Sequence, residues 1–513
     1  MDRVAAEDLP TTGTDVLVVG AGPTGLMAGL VLARRGVPVV VVDRKAGPTR
    51  ESRALAVQAR TMELYDQLGL VDEVVAGSYR ATRIQVGAGG GLLGFGFEQA
   101  QRGATRYPGL HVFEQSRNEE LLSAALTTAG PGVRWRHRLV DLVQDAGADA
   151  EEGVVALLDS PDGLTRVRAR WCVGADGATS VVRRLLDLPF EGVTDDATFW
   201  VADLRGVQGL PDRALAARLG RRTFGVMFPL GPGGHARLIS MASGDHVEPE
   251  AALATARDDL GLRYEALDWF STYRVHHRVA ARFRKGSAFL AGDAAHVHSP
   301  VGGQGMNTGL QDAHDLALLL ADVAQGHLDP AALDRYERER RPVALRLVRV
   351  TDRLFGVVAR RGPRTAWLRR RFGRVLALLG PRVTSGPFGA RLGGLLGQYR
   401  IRYHLVPPGA PVPAWADDPA VGLRLPPVGE NAAYLRAFTW QLHTYGTPVA
   451  RPDVPAWVEG PYALGPDPAG RLRPDRAYLV RPDGFVVASL PVREGVVDAA
   501  ALEAALDASD VLR

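Results

Sequence analysis

The sequence predicts an α/β protein in which a Rossmann-type domain is interrupted by a β-rich domain and followed by a smaller α/β domain. Three observations lead to this fold class. A glycine-rich turn joins two runs of β-branched residues near the N-terminus, the alternation of strands and helices stops at about residue 190 and resumes at about residue 288, and a proline-rich passage over residues 407–413 precedes a last group of strands. Strands of parallel sheets are near-continuous apolar runs because helices cover both faces, so the middle of the chain predicts a different kind of sheet.

A βαβ unit begins the chain. Residues 16–19 and 37–42 are valine-rich runs typical of buried parallel strands. Between them a helix is predicted from about residue 24 to residue 35, where Gly36 ends it.

The turn before this helix has the sequence Gly20-Ala-Gly22-Pro23-Thr24-Gly25. Glycines at this spacing permit a tight turn, a close approach of the backbone to a pyrophosphate, and close packing of the helix on the strand, while the helix N-terminus attracts phosphates. Asp43 ends the second strand, 18 residues after Gly25, where a carboxylate can accept a hydrogen bond from a ribose hydroxyl. The pattern predicts a dinucleotide site but does not distinguish FAD from NAD.

Hydrophobic periodicity predicts the remaining elements. The expected helices cover residues 50–70, 118–129, about 306–323, and 499–506. The expected strands cover residues 84–86 and 95–97 (a hairpin), 153–159, 167–173, 224–230, 237–241, 273–279, 288–291, 438–442, 477–480 and 485–490. The strand over 288–291 is expected to return to the first sheet, and the region between residues 190 and 283 to be mostly antiparallel.

Composition narrows the classes of function. The chain has 61 lysines and arginines against 57 aspartates and glutamates, so the basic stretch over residues 360–374 is interpreted as a solvated helix face and no nucleic-acid partner is expected. The single cysteine, Cys172, excludes an intramolecular disulfide and a multi-cysteine metal site, and no metal is expected. The N-terminus lacks the apolar core of a signal peptide, and no run of about 20 apolar residues occurs, which predicts a cytoplasmic protein that does not span a membrane.

Two later motifs narrow the cofactor. Cys172-Val-Gly-Ala-Asp176-Gly177 ends one predicted strand, and Gly292-Asp293-Ala-Ala-His296 ends another and leads into Pro300-Val-Gly-Gly303-Gln-Gly305-Met306-Asn307. In this order, the motifs resemble those of the FAD-dependent aromatic hydroxylase family typified by para-hydroxybenzoate hydroxylase, in particular its actinobacterial branch that acts on polyketides and phenols. The resemblance covers residues 14–345.

This resemblance implies FAD as the cofactor and NADPH or NADH as a transient electron donor. In the family, the counterpart of Asp293 binds the ribityl chain of FAD. The counterpart of Gln115 contacts FAD, and that of Arg53 lies near the edge of the isoalloxazine ring. The cofactor-binding residues that it implies are Gly20, Gly22, Pro23, Thr24, Gly25, Asp43, Arg44, Arg53, Gln115, Asp176, Gly177, Gly292, Asp293, Pro300, Gly303, Gly305, Met306 and Asn307. Two departures from the family pattern leave the substrate open: Asp315-Leu-Ala-Leu-Leu319 replaces the usual Asn-Leu-Ala-Trp-Lys, and Ser287 stands where arginine is frequent.

The resemblance also implies the domains: a Rossmann-type FAD domain interrupted by a β-rich substrate domain, plus a C-terminal thioredoxin-like α/β domain. The expected bounds are 1–78, 105–189 and 285–345 for the FAD-binding domain, 79–104 and 190–284 for the substrate domain, 346–398 for a helical connection, and 399–513 for the thioredoxin-like domain. Residues 400–513 contain no cysteine, so this last domain is expected to be structural, because dithiol exchange requires thiols.

By the same resemblance, NAD(P)H reduces FAD, O2 adds to give a flavin C(4a)-hydroperoxide, and the distal oxygen passes to an electron-rich ring. The expected partners are O2 and a bulky aromatic small molecule, polyketide-like or phenolic, and the expected substrate-binding residues are Phe95, Phe97, Phe224, Met227 and Phe228. No catalytic acid or base is identified, and the chain is expected to be a monomer or homodimer. Two alternatives remain open: a Baeyer–Villiger or epoxidising flavoenzyme of the same fold, and a flavin- or metabolite-binding protein, from which NAD(P)H turnover would distinguish an enzyme.

Overall fold

The computed structural model describes residues 9–49, 54–88, 91–145, 153–242, 247–299, 302–359, 386–406 and 409–512, so Arg53, Pro300 and the basic stretch over 360–374 lie outside the described residues. The helices of the described part are α1 (Pro23–Arg34), α2 (Ala59–Gln67), α3 (Val71–Gly77), α4 (Phe97–Gln101), α5 (Gln115–Ala129), α6 (Val181–Leu185), α7 (Pro249–Leu260), α8 (Gly305–Ala324), α9 (Asp334–Ala359), α10 (Pro387–Leu396), α11 (Asn431–Tyr434) and α12 (Ala499–Asp507). The strands are β1 (Thr11–Val19), β2 (Val39–Asp43), β3 (Ala56–Val57), β4 (Tyr79–Ala81), β5 (Arg83–Ala88), β6 (Gly91–Gly96), β7 (Leu110–Val112), β8 (Arg134–Trp135), β9 (Arg138–Asp145), β10 (Gly153–Ser160), β11 (Gly163–Gly174), β12 (Phe190–Arg205), β13 (Ala214–Leu219), β14 (Phe224–Pro229), β15 (Ala236–Ala242), β16 (Ala266–Ala280), β17 (Arg284–Lys285), β18 (Ala288–Leu290), β19 (His296–Val297), β20 (Trp440–Tyr445), β21 (Val458–Leu464), β22 (Arg476–Val480), β23 (Val486–Arg493) and β24 (Val496–Val497).

The first sheet has the order β17-β18-β11-β1-β2-β8, with β10 paired to β11 and β9 paired to β10. β1 runs parallel to both β2 and β11, with Val18 opposite Val41 and Val173. β18 also pairs in parallel with β11, placing Phe289 opposite Val173. The chain therefore leaves this sheet after β11 and returns to it at β18, which confirms the predicted interruption of the Rossmann-type core.

The second sheet has the order β19-β16-β12-β15-β14-β13-β5-β6. Its described pairings are antiparallel apart from that of β13 with β5. The two faces of this sheet bury different clusters, because successive side chains of a strand point to opposite sides. One face packs with residues of β3, β4 and β7, and the other packs against α7, a helix that the sequence analysis did not predict.

The segment after the first βαβ unit corrects two predictions. In the part of the expected helix that the structure describes, from residue 54 onward, helix begins at Ala59, because residues 56–57 form β3 and pair with His111 and Val112 of β7. The expected hairpin is present as β5 and β6, but Phe97 begins α4 instead of ending the second strand. At residues 56–57 a partner distant in sequence decides the backbone conformation, and local propensity is a weak guide.

The last sheet has the order β21-β20-β22-β23-β24 and carries α12 beside β23. β21 was not predicted from the sequence. One continuous buried cluster joins this sheet to the first, with members from Val16 to Val511. In the part of the chain that the structure describes, no helix combines the length and the apolar character needed to cross a lipid bilayer.

Candidate functional site

The glycines of the first motif differ in what their lack of a side chain permits. A Cβ at Gly25 would collide with the carbonyl oxygen of Gly20, and a Cβ at Gly20, where φ is +106°, would collide with the backbone of Ala175. Gly22 is different, because no protein atom lies within 4 Å of the place its Cβ would occupy. Gly20 and Gly25 are thus required by the fold itself, whereas Gly22 faces open space.

That open space belongs to a cleft of about 590 Å³ at the carboxyl ends of β1, β2 and β11. Its lining residues are Val19, Gly20, Gly22, Val42, Asp43, Arg44, Lys45, Thr49, Gln115, Glu119, His137, Arg138, Leu139, Val140, Ala175, Asp176, Gly177, Thr179, Val181 and Arg184. Ligands of open α/β sheets bind at this edge of the strands. The cleft therefore collects residues of the first two motifs at one place.

Asp43 joins the glycine turn to the end of β2. One carboxylate oxygen accepts a hydrogen bond from the Ala21 N–H at 2.6 Å, and the other accepts from the Lys45 N–H at 2.7 Å. Since a carboxylate oxygen can accept more than one hydrogen bond, Asp43 keeps acceptor capacity for a ligand hydroxyl. Arg44 follows it with an exposed side chain at the cleft.

Gln115 is held by a buried acid that the sequence analysis missed. Its Nε2 donates to Glu119 Oε1 at 2.9 Å, one turn further along α5. Glu119 Oε2 also accepts from the Thr49 N–H at 2.8 Å and pairs with Lys45 Nζ at 3.1 Å, although the side chain is only 1% exposed. The (i, i+4) spacing of a glutamine and a glutamate was the available signal for this pair.

Thr24 connects the first motif to the third. A Cβ at Gly292, where φ is +59°, would lie 2.5 Å from Thr24 Oγ1, and a Cβ at Gly309 would lie 2.6 Å from the same oxygen. Thr24 therefore packs between two glycines, one in the turn after β18 and one in α8. This contact packs the first turn of α1 against α8 and the turn after β18.

Asp176 uses one oxygen as a helix cap. Its Oδ2 accepts hydrogen bonds from the Val181 and Val182 N–H groups at 2.6 and 3.1 Å, at the start of α6. Its Oδ1 is buried without a partner, and burial raises the pKa of this carboxyl. Gly177 follows with a φ of +82°. A buried acceptor that lacks a donor is costly, so Oδ1 is a candidate contact for a bound molecule.

Asp293 is exposed and lies on a 3₁₀ turn over Gly292–Ala294, between β18 of the first sheet and β19 of the second. Among the described residues, none donates a hydrogen bond to its carboxylate. Desolvation by the protein packed around the turn raises the pKa of this carboxyl above its usual value, and His296 opposes this with a smaller effect. Arg183 ties the turn to the second motif, since its guanidinium donates to the carbonyl oxygens of Ala294 and Ala178 at 2.7 and 2.8 Å.

The loop before α8 is fixed to β3 by Asn307. The Asn307 Oδ1 accepts from the Gln58 N–H at 2.8 Å and from Thr61 Oγ1 at 2.7 Å, and its Nδ2 donates to the carbonyl oxygens of Ala56 and Gly303, both at 2.7 Å. The side chain of Asn307 is thus directed to protein groups, and its effect on a ligand would pass through the loop. The positions of Gln58 and Thr61 carried no recognisable signal in the sequence.

The rest of this loop is shaped by glycine. Gly303 has a φ of +62°, and a Cβ there would lie 2.6 Å from the Ala56 side chain. Gly305 begins α8, whose N-terminal N–H groups have no partner within the helix. Met306 is half-buried, and its sulfur accepts from Asn118 Nδ2 at 3.5 Å.

An apolar wall on the second sheet packs against β3, the strand to which Asn307 fixes this loop. Phe224 and Phe228 of β14 are buried there together with Phe97 of α4, Leu55, which precedes β3, and Ala56, its first residue. The same cluster contains Phe199, Val201, Ile239, Met241 and Val275, which the sequence analysis did not single out.

The structure divides the residues expected to contact substrate. Met227 lies on the opposite face of β14 from Phe224 and Phe228, packed with Ala252 and Leu253 of α7. The five residues therefore do not form one surface, because alternation along the strand places neighbours on opposite faces. The backbone of Phe95 lies in β6, and its side chain is outside the described set.

Arg237 is a buried cation on the same face of the second sheet as the wall. Arg237 pairs with Phe228 across β15 and β14, so the two side chains share a face. Its guanidinium binds both oxygens of Asp203 at 2.6 and 2.7 Å and Glu114 Oε1 at 2.9 Å. Burial opposes its charge, but the two carboxylates outweigh burial and raise the pKa of Arg237.

Comparison with known proteins identifies the family. A family model described as an FAD binding domain matches residues 13–351. The chain is 37% identical over 358 residues to 6-methylpretetramide 4-monooxygenase of Streptomyces rimosus, an alignment that covers 68% of this chain and 63% of that protein. It is 32% identical over 507 residues to 12-dehydrotetracycline 5-monooxygenase/anhydrotetracycline 6-monooxygenase of Streptomyces rimosus subsp. rimosus, covering 92% of this chain and 94% of the relative.

A solved structure agrees over nearly the whole chain. The OxyS anhydrotetracycline hydroxylase from Streptomyces rimosus superposes with a TM-score of 0.77 at 29% identity, covering 97% of this chain and 99% of that one. The family match includes all three motifs around the cleft and the strand return at β18. The chain belongs to the family of FAD-dependent monooxygenases, the aromatic hydroxylases, that carry this FAD-binding domain.

Proposed function

We propose that this protein is an FAD-dependent, NAD(P)H-consuming monooxygenase that hydroxylates a bulky aromatic substrate, polyketide-like or phenolic. One observation carries the proposal: the turn that carries Asp293 connects β18 of the first sheet, which forms the cleft open at Gly22, to β19 of the second sheet, which carries the apolar wall around Phe228. A cofactor in the cleft could therefore meet a substrate on the wall.

The residues of the cleft fit FAD. The turn from Gly20 to Gly25 and the N-terminus of α1 would hold the pyrophosphate, and the space beside Gly22 admits its close approach. Asp43 would accept from the adenosine ribose. The other residues proposed to bind FAD are Pro23, Thr24, Arg44, Arg53, Gln115, Asp176, Gly177, Gly292, Asp293, Pro300, Gly303, Gly305 and Met306, with Asn307 contributing through the loop that it holds.

Two acceptors support this assignment independently of the glycines. Asp176 Oδ1 is buried without a donor, and none of the described residues donates to Asp293. The hydroxyl groups of FAD would supply the missing donors. Asn307 would act indirectly, since its side-chain hydrogen bonds hold the loop to β3.

FAD, when bound, supplies the redox chemistry by which two electrons from NAD(P)H reduce O2, so that one oxygen atom enters the substrate and the other leaves as water. The protein's part is positional and electrostatic. The first N–H groups of α8 have no partner within the helix, and they would stabilise negative charge on a cofactor bound beside the Gly303 loop. The wall would exclude water from the reacting centre.

The wall also supports the substrate class. Phe97, Phe224 and Phe228 offer flat apolar surface suited to rings. Arg237 does not provide a free cation for a small acid, because Asp203 and Glu114 already neutralise it. The related monooxygenases act on bulky polyketide and phenolic compounds, which agrees with this reading. Phe95 is proposed to complete the pocket, and no residue is proposed as an essential acid or base.

The C-terminal sheet is proposed to be a thioredoxin-like domain over 399–513. The parallel pair β20 and β21, the antiparallel hairpin of β22 and β23, and the closing helix α12 support the proposal. Residues 400–513 contain no cysteine, so disulfide reductase activity is not expected. Three further expectations stay predictions: the bounds of the FAD-binding domain, the substrate domain and the helical connection, the cytoplasmic location, and the monomeric or homodimeric state.

The test measures how much of the NAD(P)H oxidised leads to hydroxylated product and how much to H2O2. Purified protein should be yellow and release FAD on denaturation, and the right polycyclic phenol should lower the H2O2 formed per NAD(P)H oxidised while yielding a product heavier by one oxygen atom from ¹⁸O2. A colourless protein that FAD does not reconstitute would contradict the cofactor assignment. Full coupling with small benzoates and none with any polycyclic compound would contradict the substrate class alone.

A further inference from the structure

A buried chain of polar groups begins at Tyr403, outside the FAD-binding match over 13–351. The Tyr403 hydroxyl donates to Asp315 Oδ2 at 2.7 Å and accepts from an Arg340 Nη at 2.9 Å. Tyr403 itself is only 3% exposed. Its hydroxyl therefore uses both its donor and its acceptor capacity inside the protein.

Arg340 carries this chain to the cofactor turn. The Arg340 Nε donates to Asp312 Oδ1 at 2.7 Å. The other oxygen of Asp312 accepts from the Gly292 N–H at 3.2 Å and lies 2.7 Å from His296 Nε2. Asp312 thus holds both ends of the five-residue turn over 292–296, at whose second position Asp293 lies.

The guanidinium of Arg340 is shared by two buried carboxylates, Asp312 and Asp315. Each carboxylate also has a histidine beside it, with His296 Nε2 at 2.7 Å from Asp312 and His314 Nδ1 at 3.6 Å from Asp315. Buried charges depend strongly on having a partner, so the two acids compete for Arg340. The guanidinium touches Asp312 at 2.7 Å but lies 3.6 Å from Asp315, and the Tyr403 hydroxyl bridges that longer gap. Without the hydroxyl, Arg340 would be drawn toward Asp315 and away from Asp312.

We propose that Tyr403 is a positioning residue for the cofactor: through Arg340 and Asp312 it sets the position of the Gly292–Asp293 turn. The inference rests on the proposed binding of FAD at this turn. By this proposal, a residue of the C-terminal region helps to position the flavin. Asp315, one of the departures from the family pattern, is the carboxylate that competes with Asp312 for Arg340.

The experiment uses Tyr403→Phe in the full-length chain. Phenylalanine keeps the ring, which stacks on Phe485 at a centroid distance of 4.2 Å, and removes only the hydroxyl. We expect FAD binding to weaken about tenfold, the size of effect given by one buried hydrogen bond. The visible absorption maximum and the midpoint potential of the bound flavin should shift as well.

Tyr445→Phe is the matched control. Tyr445 is fully buried in the C-terminal sheet, and its hydroxyl accepts from Asn431 Nδ2 at 2.9 Å, so its described hydrogen bonds stay within the C-terminal region. This variant should lose comparable stability yet keep the wild-type FAD affinity, spectrum and potential. Equal changes in both variants would show general destabilisation and would overturn the proposal.

A second change tests the mechanism. In the Tyr403→Phe background, Asp315→Asn removes the carboxylate that draws Arg340 away, so FAD binding should return to within about threefold of wild type. Failure of this rescue overturns the proposal, including where Tyr403→Phe alone does not fold. A wild-type chain that binds no FAD would instead overturn the proposed function, so the two failures are distinguishable.

Discussion

The nucleotide cleft and the substrate wall are built from different parts of the chain. The cleft is formed mostly by backbone: glycines with positive φ, N–H groups at helix starts, and acids whose oxygens hold turns in place. The wall is formed by side chains of the second sheet, selected by the alternation of strands. The role of a glycine in the cleft therefore follows from its place in the motif. An aromatic residue of the second sheet contributes to the wall only if the register of its strand directs its side chain to that face.

The largest effect expected concerns two glycines of the cleft. Gly25→Ala places a Cβ against the Gly20 carbonyl oxygen and should destabilise the folded chain by more than about 3 kcal/mol. Gly22→Ala places its Cβ in open space at an ordinary φ of −79°, so the FAD-free protein should keep its melting temperature while FAD affinity falls at least about tenfold. Calorimetry and FAD titration of both variants would test this. Unchanged FAD affinity in Gly22→Ala would refute the placement of the pyrophosphate.

Asp293 tests the side-chain part of the cleft. Asp293→Asn keeps the shape but removes a charge-assisted hydrogen bond, and FAD affinity should fall about 10- to 100-fold. Asp162→Asn, on an exposed turn between β10 and β11, is the control and should leave affinity unchanged. Equilibrium dialysis of the two variants decides the question, and equal FAD retention would remove Asp293 from the site.

A residue distant from both regions provides a stability effect without a functional one. His443 is fully buried in β20, and burial lowers its pKa from 6.5 to about 3, so it is neutral in the folded chain. The unfolded chain takes up a proton below pH 6.5, and the folded chain does so only near pH 3. Stability from this group is therefore lost as pH falls, by up to about 2 kcal/mol between pH 6.5 and 5.

Urea unfolding at several pH values checks this sign. The His443→Phe variant should show a flatter pH dependence over that window, while His404→Gln, at an exposed position, should follow the wild type. A His443→Phe profile as steep as that of the wild type would contradict the assignment. FAD affinity at pH 7 should be equal in all three proteins.

The smallest effect expected separates the two faces of β14. Phe228→Leu and Met227→Leu are both conservative changes of buried residues, each costing less than about 1.5 kcal/mol. Only Phe228 lies on the wall, so only its variant should raise H2O2 release per NAD(P)H, by about threefold, because water reaches the reacting centre. Matching H2O2 yields from the two variants would place the substrate elsewhere.

The sequence by itself determined the βαβ unit, the order of the three motifs and the interrupted Rossmann-type core. These follow from local rules: valine runs form buried strands, and glycine at positions 20 and 25 permits a backbone path that other residues would obstruct. The acid at position 43 was also identified at the end of its strand. Such features can be predicted because the residues that cause them are neighbours in sequence.

Only the tertiary structure decided the rest. Residues 56–57 became strand because β7 and Asn307 hold them, and Met227 faced α7 because of the register of β14. Glu119 was buried against Lys45 and Thr49 because α5 packs there. The link from Tyr403 to the Gly292 turn joins positions more than a hundred residues apart. Pairing partners, sheet faces and buried charge networks depend on packing between distant segments, and no pattern within one segment determines them.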